Sequence, residues 1–283
     1  LWLWTYPGTL RGARIAAPFL PTVRDANVTA YWQGFGGTAT VQPYQHDFPA
    51  RMPDGRFLQL RLRPLDGGAT AVADLVITHA SFLVLDALAD WLARALRPHR
   101  PEVLLGLPAL GHVLAAETAR RLSLPSWVPF GSVADRWQDF GADSPAPARF
   151  APEAALARTL RLDPLGLPRL RDRRVVLVDD LLRKGHKFRR GLQLLDAAGI
   201  RPVAVAAAMT QGDAWRQVLP AKTTVVAAFA TPLLRQAVVG GKAGWVVRED
   251  SVAWDVCPLF RQGLAKPGAP RLVTADGEVT DPG

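Results

Sequence analysis

The sequence predicts an α/β protein organised on a doubly wound, mainly parallel sheet, and three observations carry that prediction. Between residues 81 and 230, apolar runs of strand length alternate with segments of helical periodicity, the pattern of right-handed strand-helix-strand crossovers. The run Val175, Val176, Leu177, Val178 is short, continuous and mostly β-branched, as a strand buried on both faces requires. It meets two adjacent carboxylates, Asp179 and Asp180, which a strand interior would not accept. They should therefore mark the strand's carboxyl end, where open α/β sheets place ligands.

Taken in order, residues 1–55 are rich in Pro, Gly and aromatic residues, with short strands expected over Val28 to Phe35 and around Thr38 to Tyr44. Met52-Pro53-Asp54-Gly55-Arg56 is a turn, and the partial alternation of Phe57, Leu58, Leu60 and Leu62 with polar residues after it predicts a hairpin. Ala71 to Thr78 is a further strand. Leu85, Leu88, Leu92 and Leu96 have helical spacing, with Ser81 as N-cap and Pro98 as stop. Glu102 to Leu107 predicts a buried strand that runs through Pro108-Ala109-Leu110-Gly111 into a helix carrying Leu114, Thr118 and Leu122.

Gly131 to Pro152 is a long loop, a length compact domains seldom carry without a functional reason. After Asp180, the basic turn Arg183, Lys184, Gly185, His186, Lys187 opens a helix marked by Phe188, Leu192 and Leu195 and stopped at Gly199. Pro202 to Met209 and Thr223 to Phe229 are strands; Asp213 starts a short helical segment in which Trp215 packs. Pro232 to Val239 is predicted as a helix, followed by Gly240-Gly241 and a strand at Trp245 to Val247. The chain thus divides into a β-rich extension (1–80), an α/β core (81–230) and a C-terminal hood and tail (231–283) lying over the sheet's carboxyl end.

Composition narrows the function classes. With 283 residues, 49% of them hydrophobic, the chain can bury a substantial core. Net charge is +9, and eight Lys and Arg residues crowd between Arg171 and Arg190. That favours an anionic small molecule over nucleic acid, since aromatic and basic residues do not interleave and no basic recognition helix stands out. Cys257 is the only cysteine, which excludes a disulfide framework and a cysteine metal site and points to the reducing cytoplasm. No apolar run is long enough to span a membrane, and the first residues lack the basic leader and apolar core of a signal peptide.

The order strand, acidic pair, basic glycine turn, helix has a chemical reading. A turn opening a helix presents unpaired N–H groups and the positive end of the helix dipole, so it holds phosphate well. The carboxylates upstream accept hydrogen bonds from vicinal hydroxyls or meet them through a divalent ion. A sugar phosphate satisfies both. The bland alternative is a solvated strand end beside a solvated helix start. Against it, cations oppose the dipole at that position and call for an anion. His112 and His186 read as ordinary polar residues rather than metal ligands, because His46, His79 and His99 supply no helical pair.

The stretch from Val176 to Lys187 resembles the phosphoribosyl pyrophosphate (PRPP) signature of the type I phosphoribosyltransferases: hydrophobic strand, Asp-Asp, two or three residues, then Thr-Gly-Gly-Thr or a variant. Asp179, Asp180 and Gly185 match it, whereas Lys184, His186 and Lys187 stand where the family has small hydroxyl residues or glycine. The resemblance implies an α/β fold of the type I phosphoribosyltransferase kind and a pentosyl transfer: phosphoribose passes to a nitrogen of a heterocyclic base, purine-like as in purine salvage, and pyrophosphate leaves. It implies Asp179 and Asp180 as catalytic residues on the ribose hydroxyls and Mg²⁺, and Arg183, Lys184, Gly185, His186 and Lys187 at the 5′-phosphate. Ala109, Leu110, Gly111 and His112 would form the pyrophosphate loop, and Arg136 and Arg149 would reach the substrate from a lid within the long loop. Trp254, Asp255 and Phe260, in the hood, are the candidates for contacting the acceptor ring. The implied cofactor is Mg²⁺ and the implied assembly a cytoplasmic homodimer without membrane or nucleic-acid partners. The departure at the turn keeps a second reading open, a non-catalytic regulator that retains the fold and binds PRPP or a nucleotide.

Overall fold

The computed structural model describes residues 33–37, 41–65, 67–132, 160–248 and 251–261, with a strand pair at Leu272–Val273 and Val279–Thr280. In chain order the remaining elements are β1 (Asp47–Arg51), β2 (Phe57–Pro64), β3 (Thr70–Asp74), α1 (Phe82–Leu96), β4 (Val103–Gly106), α2 (Leu110–Arg121), β5 (Val128–Pro129), β6 (Gly131–Ser132), β7 (Leu160–Arg161), α3 (Leu167–Leu170), β8 (Val175–Leu182), α4 (His186–Ala197), β9 (Ala204–Gln211), β10 (Val225–Thr231), β11 (Leu233–Val239), β12 (Lys242–Val247) and α5 (Pro258–Arg261). They build an α/β fold with a parallel central sheet and a second, antiparallel one.

The central sheet has the order β10-β9-β8-β4-β5, every pair parallel. β8 sits in the middle with Val103 opposite Val175 on one side and Ala204 opposite Val176 on the other. Side chains alternate across a strand, so β8 feeds two cores. Val176 and Val178 join Leu88, Leu92 and Leu114 of α1 and α2, whereas Val175 and Leu177 join Phe188 and Leu195 of α4. β9 contributes small residues, Ala204, Ala206 and Ala208, to the first core and Val205 and Ala207 to the second. Helices on both faces are what the continuous apolar runs required. The first helix begins where expected: the Ser81 side chain accepts a hydrogen bond from the Val84 N–H at 3.3 Å.

The second sheet has the order β1-β2-β3-β11-β12, all antiparallel. Its β1–β2 hairpin turns at Met52–Arg56 as predicted. The segment Pro232 to Val239, expected as a helix, is instead the strand β11, paired with β3 and β12. Its apolar residues fit either period, and the deciding feature lies just beyond them. Gly240 and Gly241, at φ 57° and 76°, form a two-residue hairpin turn between Val239 and Lys242. Several strand limits also differ, among them that of β9, which runs from Ala204 to Gln211. β3 ends at Asp74 and is followed by a 3₁₀ turn at Ile77–His79, β10 runs from Val225 to Thr231, and β12 begins at Lys242. Of the two earliest expected strands, residues 28–32 and 38–40 lie outside the described set. Gln33, Phe35 and Tyr44 make isolated bridges to Ala80, Leu58 and Trp245.

β11 follows β10 after the single residue Pro232, so the second sheet hangs from the edge strand of the first. Its β3 is tied back to the carboxyl end of β9 by the Gln211 side-chain amide, which donates to the Ala73 carbonyl at 2.7 Å. The antiparallel sheet thereby stands beside the end of the parallel sheet where the acidic pair emerges.

Candidate functional site

β8 does not stop at Val178, as expected from its carboxylates, but continues to Leu182. Its two edges differ. On the β9 side the ladder runs on, Asp179 opposite Ala207 and Leu182 opposite Thr210. On the β4 side pairing ends at Gly106 opposite Val178, with one further bond from the Leu107 N–H to the Val178 carbonyl. β4 leaves the sheet at Pro108, so the carboxylates border a notch in the sheet. That is how a central strand accommodates two consecutive acids.

The first turn of α2 fills one side of the notch. A Cβ on Gly111 would lie 2.7 Å from the Val178 carbonyl oxygen and 2.8 Å from Asp179 Oδ1, so only glycine lets α2 rest directly on the acidic strand. His112 is held by its own fold contacts: its N–H donates to the Ala109 carbonyl at 3.3 Å, and Nε2 lies 2.8 Å from the Phe130 carbonyl oxygen. No described residue accepts a hydrogen bond from the N–H of Ala109, Leu110 or Gly111. These amides are open to an anion at the start of α2.

The turn after β8 fills the other side. Gly185 adopts φ 80°, a left-handed conformation that reverses the chain into α4, and its backbone packs on Trp215. α4 has no side-chain cap and no acid in its first turn. The N–H groups of Lys184, Gly185, His186 and Lys187 have no acceptor among the described residues. Lys184 and His186 are exposed, whereas Lys187 turns back over the strand. Its Nζ lies 2.7 Å from Asp179 Oδ2 and 3.0 Å from Oδ1.

Asp179 is therefore enclosed, its side chain 3% exposed. Burial holds its carboxyl well above the ordinary carboxylate range, the Lys187 ammonium pulls it back, and Asp180 adds to the upward push. Asp180 is 9% exposed and shares a side-chain hydrogen bond with the Asp179 carboxyl. Lys187 pairs with Asp179 and not with Asp180. Among the described residues no cluster of three or more His, Cys, Asp or Glu side chains is built to hold a metal ion. A divalent cation such as Mg²⁺ fits here with Asp180 as its protein carboxylate, because Mg²⁺ commonly takes one or two carboxylates and completes its shell with substrate oxygens and water.

Arg183 departs from the turn. Its guanidinium lies toward Arg63 of β2 and Asp74 of β3, and Nη1 is buried without a hydrogen-bond partner. Arg63 and Asp74 were not singled out from the sequence; alternation marked Arg63 as polar, but the meeting of β2 and β3 with the end of β8 is a tertiary event. Trp254, Asp255 and Phe260 lie along the edge strand β10, two strands away from β8. Phe260 is buried with its ring 5.1 Å from that of Trp254, and Asp255 is ion-paired with Arg216. Arg136 and Arg149 lie outside the described residues.

The sequence matches the family model described as the phosphoribosyl transferase domain over residues 71–228, more than half of the chain. Among solved structures, it is similar to adenine phosphoribosyltransferase from Thermoanaerobacter pseudethanolicus at 19% identity, covering 61% of this chain and 95% of that one with a TM-score of 0.47. Adenine phosphoribosyltransferase from Leishmania tarentolae is 23% identical over 59% of this chain and 79% of its own, with a TM-score of 0.41. Orotate phosphoribosyltransferase from Aeropyrum pernix is 16% identical over 60% and 85%, with a TM-score of 0.39. No curated protein matches the chain.

Proposed function

The chain belongs to the phosphoribosyl transferase domain family, and from that premise we propose that it transfers phosphoribose from PRPP to a ring nitrogen of a heterocyclic base, purine-like in the simplest case, with release of pyrophosphate. The observation that carries the proposal is the pairing of two open helix starts around one acidic strand. The amides of Ala109 to Gly111 open the helix that rests on Asp179, those of Lys184 to Lys187 open the helix whose Lys187 side chain binds the same acid, and neither set has an acceptor among the described residues. Two separate anion sites astride a carboxylate pair suit a sugar that carries phosphate at one end and pyrophosphate at the other.

In this reading the amides of the turn before α4 hold the 5′-phosphate, with Lys184 and His186 adding charge at its exposed side. Binding energy gained there positions the anomeric carbon. Asp180 accepts hydrogen bonds from the ribose hydroxyls. Positive charge builds on the sugar as the glycosidic bond lengthens, and the carboxylate beside it favours that charge. The amides at the start of α2 receive the departing pyrophosphate. Mg²⁺, carried with the substrate and met by Asp180, would neutralise the leaving group. The antiparallel sheet, from the 1–80 extension and the 231–283 segment, acts as the hood over the acceptor, and the buried single thiol of Cys257 accords with a reducing compartment.

The ion pair between Lys187 and Asp179 favours one other reading, a regulator that binds PRPP or a nucleotide without turnover, because that ammonium already occupies an acid the reaction would use. Incubation with PRPP, Mg²⁺ and a panel of bases, with pyrophosphate release as readout, decides between them. Release with at least one base is expected; saturable PRPP binding with no release on any base would establish the regulator instead.

A further inference from the structure

Arg183 is a half-buried cation that the phosphate sites leave unexplained. Successive residues of the turn diverge at this point: the Gly185 backbone packs on Trp215 and Leu219 on the α4 side, whereas the Arg183 side chain leads to β2 and β3. The crossing is set by the sheets. Leu182 pairs with Thr210, and the next residue of β9, Gln211, bonds to Ala73, the neighbour of Asp74.

Among the described residues it is Arg183, not Arg63, whose buried nitrogen is left over. Arg63 makes a two-point contact with Asp74, Nε and Nη2 each 3.1 Å from a carboxylate oxygen. Arg183 then adds a second guanidinium, with Nη1 buried and donating to no described residue. A buried N–H without an acceptor is costly, and a like charge beside it makes it more so. Burial and Arg63 both act against the charge on Arg183, and Asp74 only partly offsets them. The arrangement is satisfied by one oxyanion entering between the end of β8 and the antiparallel sheet. A planar carboxylate fits a guanidinium fork best.

We propose that Arg183, backed by Arg63, is a specificity-determining residue for an acceptor ring that carries a carboxylate. This rests on the phosphoribosyl-transfer reading and narrows its substrate class: the acceptor sits under β2 and β3 with its acidic substituent on Arg183. The 5′-phosphate is the other anion in reach, but its amides lie on the opposite side of the turn.

The test uses the full chain with PRPP, Mg²⁺ and matched bases, each a pyrimidine or purine ring with and without a carboxylate, orotate and uracil among them. Pyrophosphate release should favour the carboxylated member by about tenfold or more in kcat/KM, the size of one charge-assisted bond. Arg183→Met, which keeps the length of the side chain, should abolish that preference and leave the KM for PRPP within about twofold. Its melting temperature should not fall, because no folded-state hydrogen bond to Nη1 is lost. Three results overturn the inference: no preference in the unaltered protein, a preference that survives Arg183→Met, or a rise confined to the KM for PRPP. If no base yields pyrophosphate, phosphoribosyl transfer itself fails, and calorimetric binding of the bases judges the inference separately. Arg183-dependent binding of the carboxylated rings alone would uphold it, and equal binding of both members would end it.

Discussion

Lys187 Nζ lies 2.7 Å from Asp179 Oδ2, so the first turn of α4 is clasped to the acid of the central strand. A cation at a helix start is opposed by the helix dipole, and here a buried carboxylate eight residues away compensates it. Four measurable consequences follow from this and its neighbouring contacts.

The buried acid makes stability depend on pH. The folded state holds the Asp179 carboxyl above its ordinary range, so the native protein binds its proton more tightly than the unfolded chain. Its contribution is fully present below the unfolded carboxylate pKa and is lost as pH rises toward the folded value. Asp179→Asn removes that titration. Thermal melts from about pH 5 to about pH 9 should show the unaltered protein losing stability with rising pH relative to the variant. Parallel curves would contradict the assignment.

Breaking the clasp from the other side should cost stability. Lys187→Met leaves Asp179 enclosed without a counter-charge. The loss should be about 1–3 kcal/mol, below that of a fully buried pair because the Lys187 side chain is 39% exposed. Urea denaturation at neutral pH measures it, and the loss should shrink in acid, where Asp179 is protonated.

Gly111 is required by contact rather than by conformation. Gly111→Ala puts a methyl group 2.7 Å from the Val178 carbonyl oxygen, against backbone that cannot rotate away. Destabilisation of about 1–3 kcal/mol is expected, with weaker pyrophosphate binding as α2 lifts from the strand. Gly34→Ala, with nothing within 4 Å of the added group, serves as the control and should change stability by less than about 0.5 kcal/mol.

Asp180 should behave as a ligand-binding group, not a structural one. Because an asparagine oxygen still accepts from the Asp179 carboxyl, Asp180→Asn should keep the melting temperature and weaken PRPP binding by about tenfold or more, the loss of a charge-assisted hydrogen bond. Titration calorimetry with PRPP and Mg²⁺ reads it directly. Unchanged affinity would remove Asp180 from the sugar site.

Much of this architecture was legible before any coordinates. The β-branched run at Val175 to Val178, the Ser81 cap and the Gly185 turn each act over a few residues, and each is where its chemistry indicated. β11 was misread because Leu233, Leu234, Val238 and Val239 satisfy two periods at once, and pairing with β3 decided between them. The Gly240-Gly241 turn was a hairpin signal in plain sight. The extent of β8 was misjudged for another reason: whether a strand tolerates two acids depends on its neighbour, and β4 departs at Pro108.

The amino-acid order alone determined the family, the layered α/β plan and the meeting of an acidic pair with a basic turn, because periodicity and turn chemistry are local and survive in one dimension. Only the folded chain decided which charge answers which. Lys187 went to Asp179, Arg183 went to the second sheet beside Arg63, and Gly111 came to lie on the acidic strand. Such pairings depend on distances between elements far apart in the chain, and Coulomb and contact energies fall off with that distance, not with sequence separation.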